Sequence, residues 1–396
     1  MTIAIYIENY VCGGLDTVIL NKIKNWPNND KFIIFYNQDY KQINDILKNE
    51  LNNRRVDFVN INIFSLEKIY SRLRTNQTKI FIRIAGVFLR YFFFILNFYR
   101  ILCVLKKYKI TELFIHNGGY PGGLSTVPCA LAFYIATKKK SKYIIHSLPS
   151  RISLFNFVYE YTSDKLISYF CKIIFVSKFS CKLMNLRRLA NLQSTIILNG
   201  SEIKNFKIKK KNSSVTNFFF SGRICKEKGI LFILKNFENL YAKEKIKFKL
   251  TICGKISKEI FKEFKFYINL SKIKNKINYL GFINNKKIKY QLSKADYLIL
   301  PSLSIENLSM SAIEAFSVGV PLIASNVGSI KELTGSNNLN SLFKSGSDLD
   351  FKKKIIKILR ESRKLRLKKR HGVKKNFLSK FTAKKMAKKY FKLISE

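Results

Sequence analysis

The chain has 396 residues, with 73 Lys plus Arg against 25 Asp plus Glu and a formal net charge of +48. That length exceeds one ordinary core and suggests about two domains, while 47% apolar residues exclude a disordered basic chain despite the charge. So positive a surface should attract anions, whether nucleic acid, acidic lipid or phosphorylated small molecules, and charge alone does not choose among them.

Residues 1–11 alternate apolar and polar side chains and lack a basic start before an apolar block, so they read as a first strand and not as a signal peptide. Further β-branched or aromatic runs follow at 32–36, 113–116, 143–145 and 173–176, each trailed by a turn or a longer polar segment. Such alternation implies parallel strands with crossover helices. Between the second and third runs, residues 80–105 are dense in Phe, Tyr, Ile and Leu but interrupted by Arg83, Arg90 and Arg100. Their longest uncharged run, 91–99, is far below the roughly 20 residues of a spanning helix. The segment is expected not to cross a bilayer, and two readings stay open: a helix lying in the membrane interface with Arg reaching headgroups, or an ordinary core helix.

A short run at 196–199 ends in Asn199-Gly200, and the Lys-rich stretch 204–217 is the best linker candidate. A second α/β series runs through 218–220, 249–253, 277–280, 297–300 and 321–324. Two Rossmann-like halves are the simplest architecture, with a ligand cleft expected between them beyond the carboxyl ends of the strands. From Phe351 onward the pattern is helical, with nineteen Lys plus Arg against two Glu. Seven scattered Cys, without a C-x-x-C pair or His at metal-ligand spacing, read as reduced thiols of a cytosolic protein.

The most informative block is 301–321, PSLSIENLSMSAIEAFSVGVP. A strand ends at Pro301, a polar loop follows, and a helix starts near Ser309 or Ser311, offering N–H groups and the positive end of its dipole to an anion. Glu306 sits beside that site and Glu314 within the helix; acids so placed suit neutral hydroxyls such as those of a sugar. Glu314 also follows Ser311 by three, the spacing of a mere capping box.

Two glutamates seven residues apart in this setting resemble the E-x(7)-E signature of glycosyltransferase family 4, whose members are retaining enzymes of the α/β GT-B fold, two facing Rossmann-like domains with a deep interdomain cleft. Ser221-Gly222-Arg223 through Lys228-Gly229 resembles the family's G-R-x-x-x-x-K-G segment. Residues 323–328 with Glu332, Gly281-Phe282 and Ala295-Asp296 also fall where the family places them. In the first half the resemblance is weaker: Cys12-Gly13-Gly14 for the first glycine loop, Ser177 and Ser180 for S-x-x-S, Asn199-Gly200 for N-G. The chain departs from the commonest pattern at Asn307 and Ser309.

That resemblance implies domains at 1–198 and 199–378, with 379–396 a C-terminal helix returning to the first. It implies catalytic roles for Glu306 and His146. Arg223, Lys228, Gly14 and the backbone at Leu308, Ser309 and Met310 would hold the donor diphosphate. Glu306 would meet donor-sugar hydroxyls and Glu314 the ribose, with Gly13 and His116 as acceptor-side candidates. Plainer readings stand beside these: Arg223 and Lys228 as surface cations, the histidines as structural, Gly13 and Gly14 as a tight turn.

The expected activity is retaining hexosyl transfer by front-side displacement, from a nucleotide-sugar donor of UDP type to a glycan or lipid-linked acceptor, without a metal or other cofactor. The setting would be bacterial cell-surface polysaccharide synthesis, capsule or lipopolysaccharide. The enzyme would be cytoplasmic, held peripherally at the anionic inner face of the cytoplasmic membrane, with no nucleic acid partner. The competitors are a catalytically silent GT-B scaffold that binds glycan or lipid, and a basic nucleic-acid-binding protein, for which no zinc, helix-turn-helix or RNA-binding signature is present.

Overall fold

The computed structural model describes the chain apart from residues 11–12, 41–42, 44–46, 52–54, 66–78, 119, 153, 188–193, 204–214, 336–337 and 396, and describes only the backbone of 79–84, 155 and 285–286. Cys12 and most of the expected linker thus lie outside the described residues. The chain forms two compact units, Met1–Leu198 with Met386–Glu396, and Asn199–Lys385.

The first unit is built on a seven-stranded sheet. Its strands are β1 (Thr2–Ile7), β2 (Lys31–Asn37), β3 (Val56–Ile61), β4 (Glu112–Asn117), β5 (Ser141–Ile145), β6 (Cys171–Phe175) and β7 (Ser194–Ile196). They lie in the order β3-β2-β1-β4-β5-β6-β7, and every pairing is parallel. The residues from Ile3 to Ile7 are essentially unexposed, as expected for a parallel strand covered on both faces. Helices α1 (Gly14–Lys24), α2 (Lys79–Lys107), α3 (Thr126–Thr137), α4 (Phe157–Phe170) and α5 (Lys178–Asn185) complete this unit's crossovers. Its core gathers Tyr6, Phe35, Ile115, Phe133, Tyr143 and Phe175.

The second unit has β8 (Thr216–Ser221), β9 (Phe248–Cys253), β10 (Ile277–Tyr279), β11 (Tyr297–Leu300), β12 (Leu322–Ser325) and β13 (Ser341–Phe343), again all parallel, in the order β10-β9-β8-β11-β12-β13. Helices α6 (Ile230–Glu244), α7 (Phe261–Asn269), α8 (Asn285–Ser293), α9 (Met310–Ser317), α10 (Ile330–Thr334), α11 (Asp348–Leu359) and α12 (Arg363–Lys380) flank it. Its core joins Phe218, Phe237, Leu250, Ile299 and Phe351. In each sheet the strand order reverses at one place, beside β1 and β4 in the first and beside β8 and β11 in the second. Loops leaving the carboxyl ends at such a switch point form the natural ligand crevice of a doubly wound sheet.

Strands β3 and β13, at the sheet edges, were not among the expected runs. Two further expectations concern helix α2 and the end of the chain. Helix α2 points Phe93, Asn97, Ile101 and Leu105 inward at four-residue spacing. Its span Ala85–Lys107 is, by length and composition only, sufficient to cross a membrane. Even so, Ile101 and Leu105 belong to the first unit's core, and Asn97 clamps the Phe64 backbone, accepting from its N–H at 2.8 Å and donating to its carbonyl at 3.0 Å.

The chain also returns to the first unit later than residue 379. Helix α12 buries Val373 and Phe377, and Ser201 accepts from Ala383 N–H at 2.8 Å while donating to the Phe381 carbonyl at 2.9 Å, which ties residues 381–383 to the second unit. Only from Met386, within α13 (Ala383–Ser395), do side chains join the first: Tyr390 meets Phe114 edge-on at 5.8 Å and Phe391 meets Trp26 at 5.6 Å.

Candidate functional site

In the second unit, the loops after β8 and β11 are fastened to each other by backbone. Leu303 N–H donates to the Glu227 carbonyl at 2.8 Å and Ser311 Oγ to the Ser221 carbonyl at 3.1 Å. Gly229 has φ +68°, and a Cβ there would lie 2.0 Å from the Pro301 carbonyl oxygen; only glycine allows both the left-handed backbone and that approach. On the other side Gly328, at φ +57°, lies so close that a Cβ would stand 1.9 Å from the Glu306 carbonyl oxygen, which accepts from Ser329 N–H at 3.0 Å. Glu306 is therefore held through its main chain by the Gly328–Ser329 turn and leaves its carboxylate to other work.

That carboxylate accepts from both Lys228 Nζ and Ser302 Oγ. The structure thus joins Lys228 and Glu306 in one half-buried ion pair, where the sequence assigned them separate tasks. Arg223 stands exposed on the same β8 loop. Ser309 is the N-cap of α9, its Oγ accepting from Ala312 N–H, and Leu308 beside it is buried. Residues 308–310 thus begin a helix whose first N–H groups have no acceptor within it. With the cap at Ser309, Glu314 lies beyond the capping-box position, and Ser311 spends its hydroxyl on Ser221; the capping-box reading is set aside. Glu314 is buried, and desolvation raises its carboxyl to about 7, opposed by the charge of Lys289. Asp296 ties β8 to β11, its carboxylate accepting from Asn217 N–H at 2.8 Å.

In the first unit, Gly13 and Gly14 open α1 and are exposed; Gly13 N–H donates to Asp16 at 2.7 Å. Ser177 caps α5, accepting from Ser180 N–H at 3.0 Å, which accounts for the S-x-x-S spacing as a helix start. His116 and His146 are brought together, Nδ1 of the first 2.8 Å from Nε2 of the second. Burial, and then the charge of Lys22, pushes His146 down to about 3.

Sequence reasoning missed several polar groups. Glu8, at the carboxyl end of β1, accepts from Ser125 N–H at 2.9 Å, Ser125 Oγ at 2.6 Å and Tyr10 at 2.9 Å; burial raises its carboxyl against the pull of the Ser125 bonds. Arg187 is buried between Glu160 at 2.9 Å and Asp164 at 3.3 Å, and Tyr120 donates to the same Asp164. The one signal for Glu8 is its position, an acid directly after an apolar strand.

Two parallel-sheet α/β units with loops at their switch points define the class: the fold is that of GT-B glycosyltransferases. Residues 201–377 match the family described as glycosyl transferases group 1. A protein of Klebsiella pneumoniae, described as an uncharacterized 41.2 kDa protein in the cps region, is 28% identical over 42% of this chain and 43% of its own; the match spans less than half of that relative. Among solved structures, a glycosyltransferase from Rickettsia africae superposes with a TM-score of 0.75 at 17% identity, covering 99% of this chain and 97% of its own. Anabaena Alr3699/HepE, solved in complex with UDP, superposes with a TM-score of 0.74 at 16% identity over the whole of both chains. At such identities the likeness concerns the fold.

Proposed function

We propose that the chain is a retaining hexosyltransferase that uses a UDP-sugar without a metal and builds a cell-surface polysaccharide such as capsule or lipopolysaccharide on a glycan or lipid-linked acceptor. The observation that carries this reading is the Lys228–Glu306–Ser302 cluster beside the start of α9. On donor binding the Lys228 ammonium turns to the diphosphate together with Arg223 and the helix-terminal N–H groups of residues 308–310, which offsets the charge that grows as the phosphate leaves. Glu306, released from its partner, accepts from hydroxyls of the donor sugar. Glu314 does the same for the ribose. In the front-side displacement the departing diphosphate takes the acceptor proton, so positioning supplies most of the rate. UDP in the Anabaena structure and the cps setting of the Klebsiella relative support the donor and the pathway class.

The apolar residues Phe88, Phe92, Ile95 and Tyr99 of α2 and Phe157, Val158 and Tyr161 of α4 are exposed, and Tyr91 of α2 touches Tyr159 of α4 at 5.4 Å. With the chain's +48 charge, this favours peripheral attachment to an anionic leaflet on the cytoplasmic side.

Thermal shifts with UDP-, GDP- and ADP-sugars test the donor: a UDP-sugar at a hundred times its Kd should add about 2.7 kcal/mol, with and without Mg²⁺ alike. Glu306→Ala should keep its melting temperature and lose transfer by roughly 100-fold or more. A folded protein that no sugar nucleotide shifts would favour the silent scaffold.

A further inference from the structure

The first unit holds three nitrogen bases in a line inside its core. Lys22, on α1, has no exposure; its Nζ lies 2.7 Å from His116 Nε2, and His116 Nδ1 lies 2.8 Å from His146 Nε2. The two imidazoles are nearly parallel, 15° apart. Among the described residues no carboxylate pairs with Lys22. What surrounds it instead are ring faces, Phe114 at 4.2 Å and Tyr390 at 5.0 Å. Neighbouring turns of the helix bury Val18, Ile19 and Ile23, and Trp26 just beyond its end is buried too, so an apolar residue would fill this place at far lower cost than a desolvated amine.

What the amine supplies is direction. An ammonium only donates, and two ring faces favour the cation, although burial holds the Lys22 pKa well below its usual value. A donor at His116 Nε2 makes that nitrogen the acceptor, so the one proton of the neutral ring sits on Nδ1 and points at His146. His146 Nε2 must then accept, and its own proton is confined to Nδ1. Both rings stay neutral because burial lowers each of them, so neither doubly protonated form breaks the sequence of donors.

We propose that Lys22 is a positioning residue that fixes, through His116, the Nδ1–H tautomer of His146. Its consequence for sugar transfer rests on the catalytic role that the family resemblance implies for His146, but the tautomer itself does not.

The full-length chain labelled with ¹⁵N at histidine tests this directly. It has three histidines, and His371, exposed on α12, provides an internal reference for a ring in water. At neutral pH His116 and His146 should each show the Nδ1–H form alone. Lys22→Met keeps the volume and removes the donor. It should melt at or above the wild-type temperature, while His146 loses its single tautomer and kcat falls roughly 10-fold at nearly constant KM, as for other partners that orient a working histidine. His116→Phe cuts the same line at its middle and should release His146 in the same way. An Nε2–H signal for His146 in the wild type, or a His146 signal unchanged in both variants, overturns the proposal. A released tautomer with undiminished transfer supports the relay and overturns the catalytic role of His146.

Discussion

The two units hold their polar groups by opposite means. In the second, Glu306 and Lys228 stand on loops that main-chain contacts fasten, with Gly229 and Gly328 admitting the close approaches. In the first, Lys22, His116, Glu8 and the Arg187 cluster are buried, and other polar side chains hold each of them. A site of the first kind depends on a few glycines and can exchange its side-chain partners when a ligand arrives. One of the second kind is stiff, and each member is costly to leave alone.

That contrast can be broken most severely at Arg187. Arg187→Met strands Glu160 and Asp164 inside the first unit and should cost roughly 3 to 5 kcal/mol, read by denaturant unfolding; Glu160→Gln and Asp164→Asn added to it should recover most of the loss. A smaller effect is expected at Glu314, the buried acid of the second unit. Its folded pKa of about 7 exceeds the unfolded value, so the folded protein holds the proton longer. Stability from this group is full at pH below the ordinary carboxyl range and is lost as pH rises through about 7, in total about 3 kcal/mol. Glu314→Gln should flatten that slope and stabilise the protein in mild alkali. A variant with an unchanged slope would remove Glu314 as its source. Gly328→Ala costs about 1 to 2 kcal/mol for the left-handed backbone alone; its Cβ also displaces the Glu306 backbone, so it should reduce transfer by more than its melting temperature suggests.

Legibility in the sequence follows the same division. The 301–321 block was readable because loop sites need particular residues at particular spacings, and Pro301, Glu306, Ser309 and the glycines stand where backbone geometry requires them. Strands β1, β4, β8 and β11 announced themselves as unbroken apolar runs of covered sheets. Edge strand β3, with Asp57 and Asn60 in its run, and β13, only three residues long, lacked that signal. Lys22 and Arg187 were unreadable for another reason: in a chain this rich in basic residues, a buried cation looks like any solvated one until its neighbours are known.

The return of residues from Met386 onward to the first unit has a consequence for synthesis. Trp26 and Phe114 are made early, but Phe391 and Tyr390, which cover them, emerge from the ribosome only after the whole second unit has been translated. The usual order, in which an amino-terminal domain folds while the rest is still being made, is therefore open to the second unit before it is complete for the first. Until then the nascent first unit exposes an aromatic face, a natural target for a chaperone, and a fragment ending at Leu198 would carry that face permanently.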